Sequence, residues 1–290
     1  MDNKHGNTWK MIKPYVAVVV SLIYFFPVLW VFLTAFKPRV DIVTTIPRFL
    51  FTPTLDHFFR LFFRRVTVAP GEFALEATPF ARFFLNSIFL SLTSVALALA
   101  LGTFAAYAIS RFPMRNKGFL MFYILSNRML PPIAVVVPLY LMYRTLGIMN
   151  TYGGMTLLYT AFSIPLAIWM MKSFFDDIPY EIEEAARVDG SSRFRAFYKT
   201  ALPQVWVGIA ATFIISLIFV WNEFLFALML TGRETRTVPV ALSTALRGER
   251  GVDWGLLASV EAIYVVPAII LAFVAQGFLL RGLTFGTVRK

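Results

Sequence analysis

The chain has 290 residues, of which 58% are hydrophobic and 15% are charged, and its formal net charge is +11. This composition is far more apolar than that of a soluble domain, and the lack of cysteine excludes disulfides and thiolate metal sites. The positive charge does not indicate nucleic-acid binding, because the basic residues stand in short blocks between long apolar runs, as they do in membrane proteins.

Six apolar segments are each long enough to cross a bilayer, which takes about 20 helical residues. The first extends from about Tyr15 to Phe36, and its length and polar N-terminal flank indicate an uncleaved span rather than a signal peptide. The other five extend over about 83–109, 118–143, 155–171, 205–230 and 256–280. The sequence therefore predicts an all-α membrane protein with six transmembrane helices.

These segments divide the chain into three parts. Residues 1–81 contain the first span and a long external loop, in which the stretch 64–82 supports no structural prediction. Residues 82–280 form a core with the remaining five spans, and residues 281–290 form a short basic tail. Because the number of spans is even, both termini are expected on the same side of the membrane.

Several polar residues fall inside the predicted spans, where an unpaired charge is costly. They are Arg128 in the third span, Trp221, Asn222 and Glu223 in the fifth, and Glu261 in the sixth. Such residues either line a path for a polar solute, or pair with one another, or lie exposed at the outer surface. The third span also contains residues that are expected to break or kink its helix, namely Pro131, Pro132 and Pro138.

The segment 177–203 is a charged island between two apolar segments, and it is too long for a plain turn. Its early glutamates favour the positive end of a helix dipole. Gly190, directly after Asp189, predicts the end of that helix, and either Ser191 or Ser192 can cap a second one. The segment is therefore predicted to form a helix, a tight turn and another helix at the membrane surface.

The residues of this island resemble a known motif. Glu184-Ala185-Ala186, then Gly190, then Leu202-Pro203 are similar to the EAA loop of ABC importer permeases. Other runs resemble the carbohydrate-uptake family of these permeases, to which the smaller permease of the maltose importer belongs. These runs include NSIFLSLTSVALALALGTFAAYAISRF, PLYLMYRTLGIMNTYGG and WNEFLFALML. The resemblance extends from about Pro47 to the end, and it implies the type I ABC importer permease fold with a cytoplasmic coupling helix.

The resemblance also implies a function. The chain would be the permease subunit of a binding-protein-dependent importer for a sugar or a polyol, without a catalytic site of its own. It would bind no cofactor, because ATP and Mg²⁺ belong to a homodimeric ATPase, and its other partners would be a second permease and an external solute-binding protein. The residues implied in coupling to the ATPase are Glu184, Ala185, Ala186, Gly190, Leu202 and Pro203.

The same resemblance sets the orientation. Lysine and arginine are divided almost evenly between the two sides of the membrane, so the positive-inside rule barely distinguishes them. The EAA-like loop must face the compartment that contains ATP. The chain is therefore expected in the bacterial cytoplasmic membrane with both termini in the cytoplasm.

Two other functions are compatible with parts of the sequence. A secondary transporter would use Glu223 and Glu261 to couple protons or ions, but six spans with a docking loop fit it poorly. An intramembrane enzyme is suggested by Glu183-Glu184 near Arg187, which partly matches the paired-glutamate motif of membrane prenyl-protein proteases. The pair lies in a loop, however, and the predicted spans contain no histidine.

The polar loop 231–254 is expected on the external face. In the related maltose importer, the corresponding loop reaches into the sugar cleft of the binding protein. By that resemblance, we expect a deletion within 243–251 to impair uptake without affecting membrane insertion, as measured by transport in vesicles and by the membrane-bound amount of the protein. Normal transport by the deletion variant would mean that this loop is only a connector.

Overall fold

The computed structural model of the protein describes the backbone of residues 4–69, 71–245 and 251–285. The helices, in chain order, are α1 (Lys4–Phe36), α2 (Arg39–Ile42), α3 (Asp56–Phe62), α4 (Phe80–Arg111), α5 (Lys117–Met129), α6 (Pro132–Thr145), α7 (Tyr152–Asp176), α8 (Tyr180–Val188), α9 (Arg193–Ala196), a π-helical turn (Phe197–Ala201), α10 (Leu202–Gln204), α11 (Trp206–Trp221), α12 (Leu225–Leu230), α13 (Val238–Ala245) and α14 (Trp254–Phe285). Strands β1 (Phe63–Ala69) and β2 (Glu72–Ala77) form an antiparallel hairpin between α3 and α4. The predicted all-α membrane architecture is confirmed, with this hairpin as an addition.

Four of the described helices are long and apolar enough to cross a membrane, and they correspond to Lys13–Phe36, Phe80–Arg111, Tyr152–Asp176 and Trp254–Gln276. Two further pairs meet the same conditions only together, because neither helix of a pair is long enough alone, and each pair is bent at a break. The bend is 86° between α5 and α6, and 71° between the segment Arg193–Gln204 and α11. Counting each bent pair as one span gives the six spans predicted from the sequence.

The break in the third span lies at the expected prolines. Leu130 takes an extended conformation (φ −66°, ψ 124°) because the ring of Pro131 disfavours a helical residue before it. Pro132 then occupies the first position of α6, where its missing N–H costs nothing. Pro138 lies inside α6 without ending it.

The fifth span differs from its prediction. The sequence predicted one helix over about 205–230, but α11 ends at Trp221 and α12 begins only at Leu225. The reason is local, because the side chain of Glu223 accepts the N–H groups of Phe226 (2.7 Å) and Ala227 (3.0 Å) and so starts a new helix. Asn222 and Glu223 therefore lie between two helices and not inside a continuous one.

The hairpin occupies most of the stretch for which the sequence supported no prediction. It turns at Gly71, whose φ of +88° favours glycine, and the register shifts between Thr67 and Ala69. Arg64 and Glu76 are paired across the strands and form an exposed salt bridge of 2.7 Å. Exposed pairs of this kind contribute little to stability.

The chain divides into two compact units: one comprises Met1–Phe80 and Leu242–Val266, the other Ala81–Ala241 and Pro267–Lys290. In the first unit, Ala35 of α1 is fully buried in a cluster with Ala258 and Ala262 of α14. Small residues let helices approach closely in a membrane. The Asp253 carboxyl, just before α14, has a pKa below its usual value. Burial alone would raise this pKa, but the hydrogen bonds from the Leu256 N–H and from Arg60 have the larger effect.

The second unit is built around α4, α7 and α11. At the crossing of α4 and α7, Gly102 leaves room for Ala167, since a Cβ built on Gly102 would lie 2.6 Å from the Ala167 Cβ. Leu158 of α7 and Leu217 of α11 belong to one buried cluster with Leu90 of α4. The interior of this unit is thus a helical core of aliphatic and aromatic side chains.

Two asparagines fix the loop that follows α12. The Oδ1 atom of Asn150 accepts the N–H of Gly232 (2.7 Å) and the hydroxyl of Thr235 (3.0 Å), and Thr235 is fully buried. Asn86 of α4 donates from Nδ2 to the carbonyls of Glu234 and Arg236, both at 2.9 Å. The first part of the predicted external loop is therefore tied to the helical core. Of the segment 243–251, residues 246–250 lie outside the described residues.

Candidate coupling site and polar cavity

The charged island forms the predicted helix, turn and helix. Helix α8 ends in a Schellman motif, in which the N–H of Gly190 bonds to the carbonyl of Arg187 (3.1 Å) and the N–H of Ser191 to that of Ala186 (3.0 Å). Gly190 has a φ of +88°, as its place after the helix end requires. Ser192 is the cap of the second helix, since its Oγ accepts the N–H of Arg195 at 3.3 Å.

Most of the surface of helix α8 is exposed. Glu184 and Ala185 are exposed, Ala186 is half-buried, and the apolar side chains of Ile182 and Val188 are also exposed. A row of small and aliphatic side chains beside a carboxylate offers a low surface on which another protein can pack closely. This face of α8 is therefore accessible to another protein.

The other face of α8 is fixed by one buried glutamate. Glu183 accepts a hydrogen bond from Arg111 Nε at 2.6 Å and another from the Tyr107 hydroxyl at 2.6 Å. The side chains of Arg111 and Glu183 are only 8% and 4% exposed, and Arg111 also donates to the Ile178 carbonyl at 3.1 Å. Both lone-pair-bearing oxygens of the carboxylate thus have a donor, as a buried charge requires. We call Glu183, Arg111 and Tyr107 the clamp; it ties α8 to the end of α4.

The second half of the island packs into the core. The ring of Phe197 lies 4.5 Å from that of Tyr107 and 5.3 Å from that of Phe104, measured between centroids. Phe197 and Ala201 are buried in one cluster with Phe175 of α7. The island is therefore joined to α4 by the clamp and to both α4 and α7 by this aromatic packing.

The remaining residues implied in coupling lie at the far end of the island. Leu202 is half-buried against the same cluster, whereas Pro203 is exposed. Pro203 lies two residues before Val205, where the chain bends into α11. These two residues mark the exit of the island into the fifth span.

The clamp was not predicted from the sequence, where Glu183 was considered only as an early helix glutamate and as half of the paired-glutamate motif. Because the exposed Arg187 lies one turn away on the same face of α8, periodicity gave no signal for the burial of Glu183. Periodicity alone could not reveal its partner, which stands 72 residues earlier in the chain.

The structure brings two of the five polar span residues together. Arg128, in the last turn of α5, and Glu223 line one cavity of about 220 Å³. Glu223 also accepts the hydroxyl of Tyr159 at 2.8 Å. Among the described residues, neither Arg128 nor Glu223 forms a salt bridge, so the predicted alternative of mutual pairing is not seen for these two.

The other three polar residues are not among those that line this cavity. Trp221 is buried, and its ring packs edge-on against Phe84 at 6.0 Å. Asn222 is exposed and donates to the carbonyl of Ile218 at 2.8 Å. Glu261 is half-buried in the first packed unit. Of these five residues, Arg128 and Glu223 are the two that line this cavity among the described residues.

The family model of binding-protein-dependent transport system inner membrane components matches residues 98–285. The chain belongs to this family. The match includes both the island and the cavity, and it makes the chain a permease of the inner membrane. The bent spans and the exposed helix α8 both lie within the residues that this family model matches.

Curated relatives match the permease over nearly its full length. A probable ABC transporter permease of Sinorhizobium fredii is 37% identical over 288 residues, which is 99% of each chain. The trehalose transport system permease of Mycobacterium tuberculosis is 32% identical and covers 91% of this chain and 92% of its own. The likeness thus includes the N-terminal part that the family model does not match.

A solved structure shows the same fold. The bacterial ABC transporter involved in the import of the acidic polysaccharide alginate contains a chain that matches this permease with a TM-score of 0.77. The two are 19% identical, and the match covers 96% of this chain and 98% of the other. The fold is that of an ABC importer permease, as the sequence predicted.

Proposed function

We propose that this permease moves a sugar or a polyol across the bacterial cytoplasmic membrane, driven by ATP hydrolysis on a separate subunit. The likeness to the trehalose permease is the observation that carries the substrate class. The runs 138–154 and 221–230, which resemble carbohydrate permeases, support the same class. Neither a secondary transporter nor an intramembrane enzyme gains support from the fold.

In this mechanism the chain itself catalyses no reaction. ATP and Mg²⁺ are held by the ATPase, and closure of the ATPase dimer displaces the docked helix α8. The clamp carries that displacement to α4, and the packing of Phe197 carries it to α7. The connection between α8 and the spans must be rigid. A small displacement of α8 then moves the packed helices from one stable arrangement to another, and this changes the path at a distance.

The proposal requires three kinds of partner protein. A second permease completes the walls of the path, because the chain's own spans leave faces open and a polar solute must be shielded from lipid on all sides. A homodimeric ATPase binds α8 and its counterpart, and an external solute-binding protein delivers the solute. Helix α8 must face the compartment that contains ATP, so both termini lie in the cytoplasm.

The proposal is tested by reconstitution in vesicles. The permease alone is expected to show neither ATP hydrolysis nor sugar uptake, since the proposal assigns the nucleotide sites to the ATPase and only part of the path to this chain. The complex with the second permease, the ATPase and the binding protein is expected to take up trehalose or another sugar only when ATP is supplied to the ATPase. Uptake by this chain alone, driven by an ion gradient, would contradict the proposal.

A further inference from the structure

A cavity with a mostly apolar lining and a few polar groups opens where the third span breaks. It is enclosed by the break between α5 and α6, by α7 and by α11, and its volume is about 220 Å³. A second cavity of about 360 Å³ shares Asn127, Arg128, Leu130 and Phe162 with it. Together they have the size range of sites for small molecules.

Arg128 stands at the junction of the two cavities. Among the described residues, its guanidinium forms neither a salt bridge nor a hydrogen bond. It makes a cation–π contact with the Phe219 ring, whose centroid lies 5.0 Å from Cζ. A guanidinium without an acidic partner is costly inside a membrane span. An arriving anion would remove that cost, which is the physical reason to expect a ligand here.

The carboxylate in the cavity is already engaged, whereas the guanidinium of Arg128 and one hydroxyl group are not. Glu223 receives two backbone N–H groups and the Tyr159 hydroxyl, so its carboxylate has little capacity left for a solute. The hydroxyl of Ser216 also lines the cavity, is buried and has no hydrogen-bond partner among the described residues. A buried unpaired polar group is unusual and is commonly satisfied by a ligand or water. The unmatched groups are therefore a cation and a hydroxyl, which together suit an acceptor-rich anionic group.

We propose that this cavity admits a sugar that carries an anionic group, such as the carboxylate of a sugar acid, and that Arg128 binds that group. The proposal rests on the transport function given above and narrows its substrate class. The aromatic rings of Phe162 and Phe219, which also line the cavity, offer apolar faces for the C–H surface of a sugar ring. Arginine suits the role because its planar donors match a carboxylate in a bidentate manner.

The chain contains no cysteine, so a single introduced thiol reports on the cavity when labelling is read on the band of this subunit. We would place it at Asn127, which is exposed and lines both cavities, and label the assembled transporter with an anionic and a cationic methanethiosulfonate reagent. The ratio of the two labelling rates measures the local potential. Adding Arg128→Gln is expected to lower the anion-to-cation ratio by about tenfold, because one charge a few ångströms away has opposite effects on the two reagents. Arg144→Gln, an exposed arginine outside the cavity lining, is the matched control and should leave the ratio unchanged.

Competition by solutes then tests the ligand. D-glucuronate at millimolar concentration is expected to slow labelling of the Asn127→Cys transporter several-fold, D-glucose is expected to have no effect, and Arg128→Gln is expected to abolish the protection. Equal protection by both sugars would overturn the anionic class while leaving sugar import intact. A ratio that Arg128→Gln does not change would show that a carboxylate of the second permease neutralises the arginine, and this would also overturn it. A thiol that neither reagent modifies would do the same, since the cavity would then not admit polar solutes.

The anion could also come from a lipid headgroup, and the lipid composition separates the two sources. The labelling ratio is measured in nanodiscs of phosphatidylcholine alone and in nanodiscs that contain phosphatidylglycerol. We expect the same ratio in both. A ratio that falls with the anionic lipid would assign Arg128 to a headgroup and overturn its role in solute binding. Because labelling needs no transport, failure here is distinguishable from failure of ATP-driven uptake.

Discussion

Replacing Glu183 with alanine is expected to uncouple the transporter. The change leaves Arg111 buried without its carboxylate, and removing one partner of a buried ion pair commonly costs about 3–5 kcal/mol. The Tyr107 hydroxyl loses its acceptor at the same time. Helix α8 then keeps its exposed docking surface but is no longer fixed to α4. We expect sugar uptake to fall by more than about tenfold, on the scale of 1.4 kcal/mol for each factor of ten.

The measurements are uptake in vesicles, ATP hydrolysis with and without binding protein, and co-purification of the ATPase. The clamp acts on transmission, so co-purification should fall less than uptake does. Glu181→Ala is the matched control, because Glu181 is an exposed glutamate in the same helix. If Glu183→Ala transports as well as Glu181→Ala, the clamp has no part in coupling.

A double-mutant cycle separates the pair from general loss of stability. Arg111→Met and Glu183→Leu each leave one charge unpaired, whereas the double variant replaces the pair with apolar side chains. The double variant should therefore be closer to the wild type in thermal stability than Arg111→Met alone. Its uptake should remain low, because the hydrogen bonds that fix α8 to α4 are absent. Strictly additive losses in stability would contradict a direct interaction.

Gly190→Val and Ala186→Asp are expected to abolish binding-protein-stimulated ATP hydrolysis by different physical routes. A β-branched residue at the φ of +88° of Gly190 costs about 1–3 kcal/mol of backbone strain. No atom outside the adjoining residues lies within 4 Å of a Cβ built there, so the strain comes from the backbone and not from a clash. The Schellman hydrogen bonds are then lost and α8 points elsewhere. Ala186→Asp instead places a charge within an apolar docking surface.

Both changes lie outside the spans, so the amount of protein in the membrane should stay at the wild-type level. Gly118→Val is the control for the first, because Gly118 has no positive φ and a Cβ there also meets nothing within 4 Å. Ala81→Asp, at an exposed position in the first turn of α4, is the control for the second. Co-purification of the ATPase and full stimulation in both loop variants would refute the assignment of α8 as the coupling helix.

The apolar segments and the turn chemistry were determined by the sequence alone. A run of about 20 apolar residues has few alternatives to a membrane helix, so the spans could be placed without tertiary information. Gly190 and the serine cap fixed the end of α8 and the start of the next helix, since capping depends on residues a few positions apart. The break at Pro131 followed from the proline ring for the same reason. These features depend on local interactions.

Some local signals were nevertheless overlooked. The alternation of RVTVA and FALEA on either side of Pro70-Gly71 is typical of a hairpin, which the structure shows. The ability of Glu223 to begin a new helix, which divides the fifth span, was also hidden, because the apolar residues continue on both sides of it. Hydropathy measures the length of an apolar run and not the continuity of its backbone hydrogen bonds.

The clamp and the cavity were decided by the tertiary structure. Glu183 and Arg111 are separated by 72 residues, and whether they meet depends on how α8 lies against the end of α4. The cavity likewise needs the bend of 86° between α5 and α6 to place Arg128 beside residues of α7 and α11. Helical periodicity shows which side chains share a face, but it does not specify which other helix that face contacts. The pairing of a buried charge therefore becomes known only when the helices are packed together.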